Sequence, residues 1–336
     1  MSETKSVRNY GIDLIKIIAC LGVIGLHVFG DANFQTNSDL ANQILYYAGT
    51  PAIPLFFMAN GYFVLNKKRI SFAYSFKKIR TLIFVVVSWG LLMFCAETII
   101  KSNGNFVLNV FGGLIQVGHL YHFWFLGSLM ILYMLAPILS WLMNKSVHFL
   151  PIAIICLTLI CFGTDIFSHL EGYPVQSNVI QTFRFWTWLD FYMIGCGIKR
   201  IDFENFIHKT MLFAVSVTSF ILLIIYSIFN KVLIHNHYAE FNYDNILTFI
   251  FCIALFISLS VYFKSEARES RNIEFLSGIT MAIYIIHPFV IMVLQKVLEI
   301  HGGNLLILLF VVVVGFVTII ASLMVRIPIV KHMVTT

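Results

Sequence analysis

The sequence predicts an all-α polytopic membrane protein with about ten transmembrane helices and both termini in the cytoplasm. Three observations lead there. Hydrophobic residues make up 59% of the 336 positions and charged residues only 11%, against roughly 45–50% and about 25% in soluble domains. Apolar runs near the roughly 20 residues that a helix needs to cross the hydrocarbon core recur along the chain, and they are too long for barrel strands of about 10. Lysine and arginine also sort between alternate connecting segments. Seventeen fall on one side: Lys5, Arg8, Lys67, Lys68, Arg69, Lys77, Lys78, Arg80, Lys145, Lys199, Arg200, Lys209, Lys264, Arg268, Arg271, Arg326 and Lys331. Four fall on the other (Lys101, Arg184, Lys231 and Lys296), and Lys16 lies inside the first span. The positive-inside rule puts the rich side in the cytoplasm, and two cytoplasmic ends require an even number of crossings.

The spans are expected near residues 11–30, 45–65, 79–100, 122–143, 148–164, 185–199, 210–230, 245–263, 276–296 and 304–325. The first follows Lys5 and Arg8 as a signal peptide would, but it is too long for an h-region and lacks a small-x-small cleavage site. It reads as an uncleaved helix. Residues 101–121 are apolar yet interrupted by Gly104, Gly112, Gly113 and Gly118, which suggests an interfacial or re-entrant piece on the outer side. Residues 164–184 and 231–244 read as polar outer loops, long enough to shape a binding surface.

Six cysteines, Cys20, Cys95, Cys156, Cys161, Cys196 and Cys252, all sit in apolar runs and read as small core residues, not a disulfide framework. The formal charge of +6 follows from topology, so no nucleic-acid partner is expected. His235 and His237 form a His-x-His pair without a third ligand nearby, which reads as a solvated loop, and no metal site is expected. No P-loop, no Gly-x-Gly-x-x-Gly opening a helix and no Gly-x-Ser-x-Gly occurs.

The first helix carries Asp13, Lys16 and His27. Lys16 and His27 are eleven residues apart, three turns plus about 20°, and so share one face about 16 Å apart along the axis. Asp13 lies about 40° from His27 around the same helix. Such groups cost at least about 2.5 kcal/mol near the bilayer centre and normally face a cavity or a partner. For Asp13 and Lys16 the plainer reading is a boundary position from which they snorkel to water. Of the other intramembrane acids, Asp190 sits among aromatics, and Glu97 lies near enough to the outer boundary to be solvated.

Several stretches together resemble the membrane acyltransferase-3 family. They are GIDLIKIIA with Lys16 and His27 spaced as basic-x10-His, and Gly61-Tyr62 in FFMANGYFVL, where Asn60 replaces the usual Ser. Lys77-Lys78-Ile79-Arg80 follows as a variant of Arg-x-x-Arg. His122-Phe123-Trp124-Phe125-Leu126 comes next with Tyr133 and Pro137, and then Tyr284-Ile285-Ile286-His287-Pro288. The matches occur in order from the first to the ninth span.

The resemblance implies transfer of an acyl group, usually acetyl, from cytoplasmic acyl-CoA to a hydroxyl of a cell-envelope glycan or lipid-linked saccharide. It implies a multi-pass place in the bacterial plasma membrane. It also implies a stand-alone form without an extracytoplasmic esterase-like domain, and acyl-CoA as a donor substrate with no tightly bound cofactor. His27 is then the expected base or nucleophile, since an imidazole accepts a proton at neutral pH. Lys16 would bind CoA phosphate or balance Asp13. Lys77, Lys78 and Arg80 would hold the phosphates of CoA, unless they are only the positive-inside signal. On the acceptor side the expected residues are His122, Trp124, Tyr133, Asp190 and His287. Trp124 would serve either as an aromatic-belt anchor or as a platform for a sugar ring. His287 is alternatively the partner of the Tyr284 carbonyl that Pro288 frees. A charged intramembrane stripe equally marks a translocation path, so a transporter or flippase of a glycan precursor is the alternative.

Overall fold

The computed structural model describes residues 8–34, 39–99, 104–203, 207–262, 270–300 and 305–335. Lys5, Lys101, Lys264 and Arg268 of the charge count lie outside the described residues. Among the described residues every regular element is helical. The helices are α1 (Tyr10–Phe34), α2 (Leu40–Tyr47), α3 (Ala52–Val64), α4 (Phe72–Ile99), α5 (Trp124–Lys145), α6 (Phe149–Glu171) and α7 (Phe185–Ile198). They continue as α8 (Lys209–Leu233), α9 (Ile246–Tyr262), α10 (Arg271–Gly278), α11 (Thr280–Leu298), α12 (Leu305–Met324) and α13 (Pro328–Val334).

Seven of these, α1, α4, α5, α6, α8, α11 and α12, are long and apolar enough to cross a membrane. The other three expected spans are shorter helices. The run 45–65 breaks at Gly49-Thr50-Pro51 into α2 and the 13-residue α3. Expected span 185–199 becomes the 14-residue α7, and 245–263 the 17-residue α9. Proline at 51 cannot donate its missing N–H, so the apolar run turns there instead of continuing. Three further boundaries correct the sequence reading. Helix α6 runs seven residues past 164, so more than a third of the expected loop 164–184 belongs to it, and it is ended by Gly172 in the left-handed conformation (φ 73°). The expected span 276–296 is cut at Ile279 into α10 and α11, and Ser270 caps α10 by accepting from the Ile273 N–H. Residues 108–112 form a π-helical turn packed on α4, as suits a re-entrant piece.

Helix α1 is the hub, with α2, α3, α9, α10, α11 and α12 packed around it. Helices α3 and α7 cross closely because glycines face each other's backbones. A Cβ on Gly61 would lie 1.7 Å from the Tyr192 carbonyl oxygen, and one on Gly195 would lie 2.0 Å from that of Met58. Small residues allow this approach in a bilayer, where dispersion and not hydrophobic burial holds helices together. Four cysteines are buried as expected, but Cys95 and Cys156 face outward.

Contacts gather the basic residues at one end of the bundle. Lys16 and Lys199 both lie over the Phe63 ring, and Lys67 lies over Tyr74. Arg8 pairs with Asp13, and Arg200 donates to Asn66. The far end is called the histidine end below.

Candidate functional site

A cavity of about 840 Å³ opens at the histidine end. Two helices supply its walls with the spacing of a single helical face. From α1 come Val23, Leu26, His27 and Gly30, and from α11 come Tyr284, Pro288, Ile291, Met292 and Gln295. Residues at i, i+3, i+4 and i+7 lie one above another, so each helix turns a continuous stripe to the void. Tyr46, Ile53, Met93 and Trp124 add to the wall from α2, α3, α4 and α5, and connecting segments complete it: Gln116, His119, Tyr121 and His122 before α5, Gln181 before α7, and Tyr238 to Phe241 with Tyr243 before α9.

Three histidines from α1, the turn before α5, and α11 meet at this wall. The His27 ring lies 4.9 Å from His287 and the His122 ring 5.9 Å from His287, centroid to centroid. His27 Nδ1 is 3.1 Å from the Tyr121 hydroxyl. His287 Nδ1 is 2.7 Å from the Tyr284 carbonyl, the group that Pro288 leaves without its helical donor, so that alternative reading describes a real hydrogen bond. The Tyr284 hydroxyl donates in turn to the His122 carbonyl. Among the described residues both ring nitrogens of His122 and Nε2 of His287 are buried without a partner in hydrogen-bond geometry. These three nitrogens lie within one cluster of rings beside the cavity. The three rings are tilted or edge-on to one another, and no group of three potential metal ligands is set to hold an ion among the described residues.

The aromatic and polar parts of the wall are held from behind. Trp124 is buried and lies 5.2 Å from Trp188, whose indole N–H donates to the Gln181 carbonyl at 2.6 Å. Gln116 adopts a left-handed backbone (φ 64°), and its side-chain oxygen accepts from the Gln181 N–H at 2.9 Å. Such a conformation in a residue other than glycine is held only by its surroundings and is common at binding sites. Glu240 faces the cavity with Arg184 3.7 Å away. Burial raises the Glu240 carboxyl above its usual range and the Arg184 charge opposes that rise, so the cavity contains an acid poised against a buried guanidinium.

The expected site residues divide. His27, His122 and Trp124 line the cavity, and His287 touches the first two through its ring. Asp13 and Lys16 do not; they lie at the basic end, where Asp13 accepts from Arg8 at 2.6 Å and from Ser277 at 2.5 Å, with Lys16 3.9 Å away. The shared face of α1 therefore carries two separate sites, not one stripe. Lys77, Lys78 and Arg80 stand on the first turns of α4 and line neither described cavity, with Lys77 and Arg80 exposed. The Tyr133 hydroxyl donates to Asn60 at 3.2 Å, tying α5 to α3. Asp190 is fully buried and accepts from Thr158 at 2.7 Å; neither it nor Tyr133 reaches the cavity. Glu97 is buried instead of solvated, because Asn109 donates to it at 2.7 Å and His119 closes over it at 3.5 Å. His235 is exposed on its loop.

Sequence reasoning missed Tyr121, Gln116, Gln181 and Glu240. Tyr121 adjoins the His122 motif and was findable there, whereas the other three come from connecting segments whose convergence no spacing encodes.

The acyltransferase-3 family, described as an acyltransferase domain, matches residues 9–326. Among curated proteins the chain is similar to an amino-acid racemase of Enterococcus faecalis, 26% identical over 92% of this chain and 45% of the relative. It is also similar to a serine/alanine racemase of Enterococcus gallinarum, 23% identical over 93% of this chain and 46% of the relative. The chain thus spans about half the length of the curated relatives it matches. No solved structure matches it.

Proposed function

The chain belongs to the acyltransferase-3 family, and from that premise we propose that it moves an acyl group, acetyl in the first instance, from acyl-CoA to a hydroxyl of a cell-envelope glycan or lipid-linked saccharide. The observation that carries this reading is the His27 ring at the wall of a large cavity, fixed by Tyr121 and packed against His287. The racemase names belong to relatives of which the chain matches less than half. The family match covers the shared part, which supports acyl transfer for this chain.

In this mechanism the acceptor sugar enters the cavity and stacks near Trp124, with Gln116, Gln181 and Glu240 available to its hydroxyls. His27 donates Nδ1–H to the Tyr121 oxygen, which leaves the Nε2 lone pair to take the acceptor proton. The alkoxide attacks the thioester carbonyl, and the tetrahedral oxyanion collapses to expel the thiolate. That thiolate takes the proton back from His27. In this mechanism His122, which lines the same cavity, donates a ring N–H to the developing oxyanion. Membership of the family supports a multi-pass membrane position, and the charge sorting supports a cytoplasmic basic end.

The test is transfer itself. Purified full-length protein given labelled acetyl-CoA and a lipid-linked saccharide should acylate the saccharide, and His27→Ala should not while retaining its folded yield. Vectorial uptake of the saccharide into proteoliposomes without a donor, and no transfer with one, would overturn the proposal in favour of transport.

A further inference from the structure

The basic end holds a second cavity, of about 400 Å³, that the reading above leaves without an occupant. It is lined by Tyr62, the segment Ile198 to Phe203, Ser260 and Val261. Its origin is local. The Gly61–Tyr192 approach brings α3 against α7, and so carries Tyr62 to the C-terminal end of α7, where Lys199 and Arg200 follow. Lys199 Nζ stands 4.9 Å from the Tyr62 ring and 5.8 Å from the Phe63 ring, and Lys16 Nζ stands 5.3 Å from that same Phe63 ring. Among the described residues no salt bridge joins Lys199 or Arg200 to a carboxylate. Arg200 is instead oriented by neutral groups, with Nε donating to Asn66 at 2.9 Å and Nη2 to the Leu65 carbonyl at 3.4 Å. The α9 wall supplies the independent sign of a ligand. Ser260 is 2% exposed and its hydroxyl has no partner, while its carbonyl is taken by Asn9 at 2.8 Å. Asp202 also lines the cavity, so Lys199 and Arg200 have one carboxylate to outweigh there.

We propose that this cavity seats the phosphate groups of the donor thioester, between the Lys199–Arg200 pair and the Ser260 hydroxyl. The proposal rests on the acyl-CoA reading and assigns its phosphate-binding residues. A guanidinium held by its Nε edge keeps its other face for phosphate oxygens, a lysine lifted onto aromatic rings supplies a mobile point charge, and a buried hydroxyl completes the set as donor. Lys16 shares the Phe63 ring with Lys199 and stands on α1, the helix that carries His27. Donor phosphates at the basic end leave the extended pantetheine arm to lead along α1 towards His27, about 16 Å beyond Lys16.

Phosphate could also come from anionic lipid headgroups, and the experiment separates the two sources. Binding of unacylated CoA and of adenosine 3′,5′-bisphosphate to the full chain is measured in nanodiscs of zwitterionic lipid, and again with anionic lipid added. The variants are Lys199→Gln, which breaks no hydrogen bond, and Arg200→Lys, with thermal melting as the folding control. Expected is a loss of about tenfold or more in affinity for both nucleotides in each variant, the worth of one charge-assisted hydrogen bond. In the transfer assay the KM for acetyl-CoA should rise and kcat should hold. Wild-type affinity in both folded variants overturns the proposal. So does a loss confined to anionic lipid, which would identify a headgroup site. Nucleotide binding that depends on Lys199 in a protein that transfers nothing would retain the phosphate seat and overturn the transferase reading alone.

Discussion

At one end of α1, Asp13 accepts from Arg8 and Ser277 and faces Lys16; at the other, His27 has a tyrosine hydroxyl and stands beside His287, whose Nε2 has no partner in hydrogen-bond geometry. The two groups share a helix and nearly a face, yet their surroundings are opposite. Both Asp13 oxygens are partnered, one by Ser277 of α10 and the other by Arg8, which pairs in turn with Glu274 of α10. The histidine end is left unsatisfied beside a void. Saturated buried charges hold a fold in register, whereas under-satisfied polar groups at a cavity are available to a reacting molecule. The comparison teaches that an ionisable residue in a membrane helix must be judged by its partners and not by its depth.

The largest effect that can break the comparison is catalytic. His27→Ala should lower acyl transfer by about 10²–10⁴-fold, the usual contribution of a general base, with the melting temperature in detergent little changed. Asp13→Ala should do the reverse. Removing a buried partner of Arg8 and Ser277 should cost about 1–3 kcal/mol of stability, read as a lower melting temperature, while turnover per folded molecule stays near wild type. If Asp13→Ala abolished turnover in well-folded protein, the two ends of α1 would belong to one site after all.

How far this division was legible in the sequence follows from the range of the interactions. The α1 span, its ionisable residues and their angular offsets depend on neighbours within three turns, and helix geometry gives them. The fate of Asp13 depends on Ser277, 264 residues away, and no periodicity reports that. His27, His122 and His287 could be named together only because ordered motifs resemble one family, since spacing alone does not bring three distant helices to one void. Short helices were misjudged for a related reason. The 45–65 run is mostly apolar, but its Gly49-Thr50-Pro51 step turns the chain, and α3 survives at 13 residues because α7 covers it. Glu97 differs from its expected solvated position because Asn109 and His119 reach it from 12 or more residues further along the chain, and no spacing in the sequence reports that contact.

Lysines and arginines offer a subtler comparison between an exposed run and a structured pair. Lys77 and Arg80 stand exposed on α4, whereas Lys199 and Arg200 border a cavity with a buried hydroxyl in its wall. Lys77→Ala with Arg80→Ala should therefore raise the KM for acetyl-CoA by less than Lys199→Gln does. The opposite ranking in steady-state kinetics would return the donor phosphates to the run that the family motif first suggested.

The finest test concerns one hydroxyl. Tyr121→Phe keeps the ring that meets His27 edge-on at 5.8 Å and removes only the oxygen at Nδ1. A neutral hydrogen bond is worth about 0.5–1.5 kcal/mol, so kcat should fall by roughly 2–10-fold, with the KM for either substrate almost unmoved. The loss has a specific cause: without the tyrosine oxygen, Nδ1 no longer holds the proton that keeps Nε2 free to act as base. Tyr121→Leu removes the ring as well and should lose more, because the imidazole can then turn away from the cavity. Equal losses in the two variants would mean that packing alone orients His27 and that its tautomer is set elsewhere. The unpaired Nε2 of His287, one ring away, would then be the group to examine.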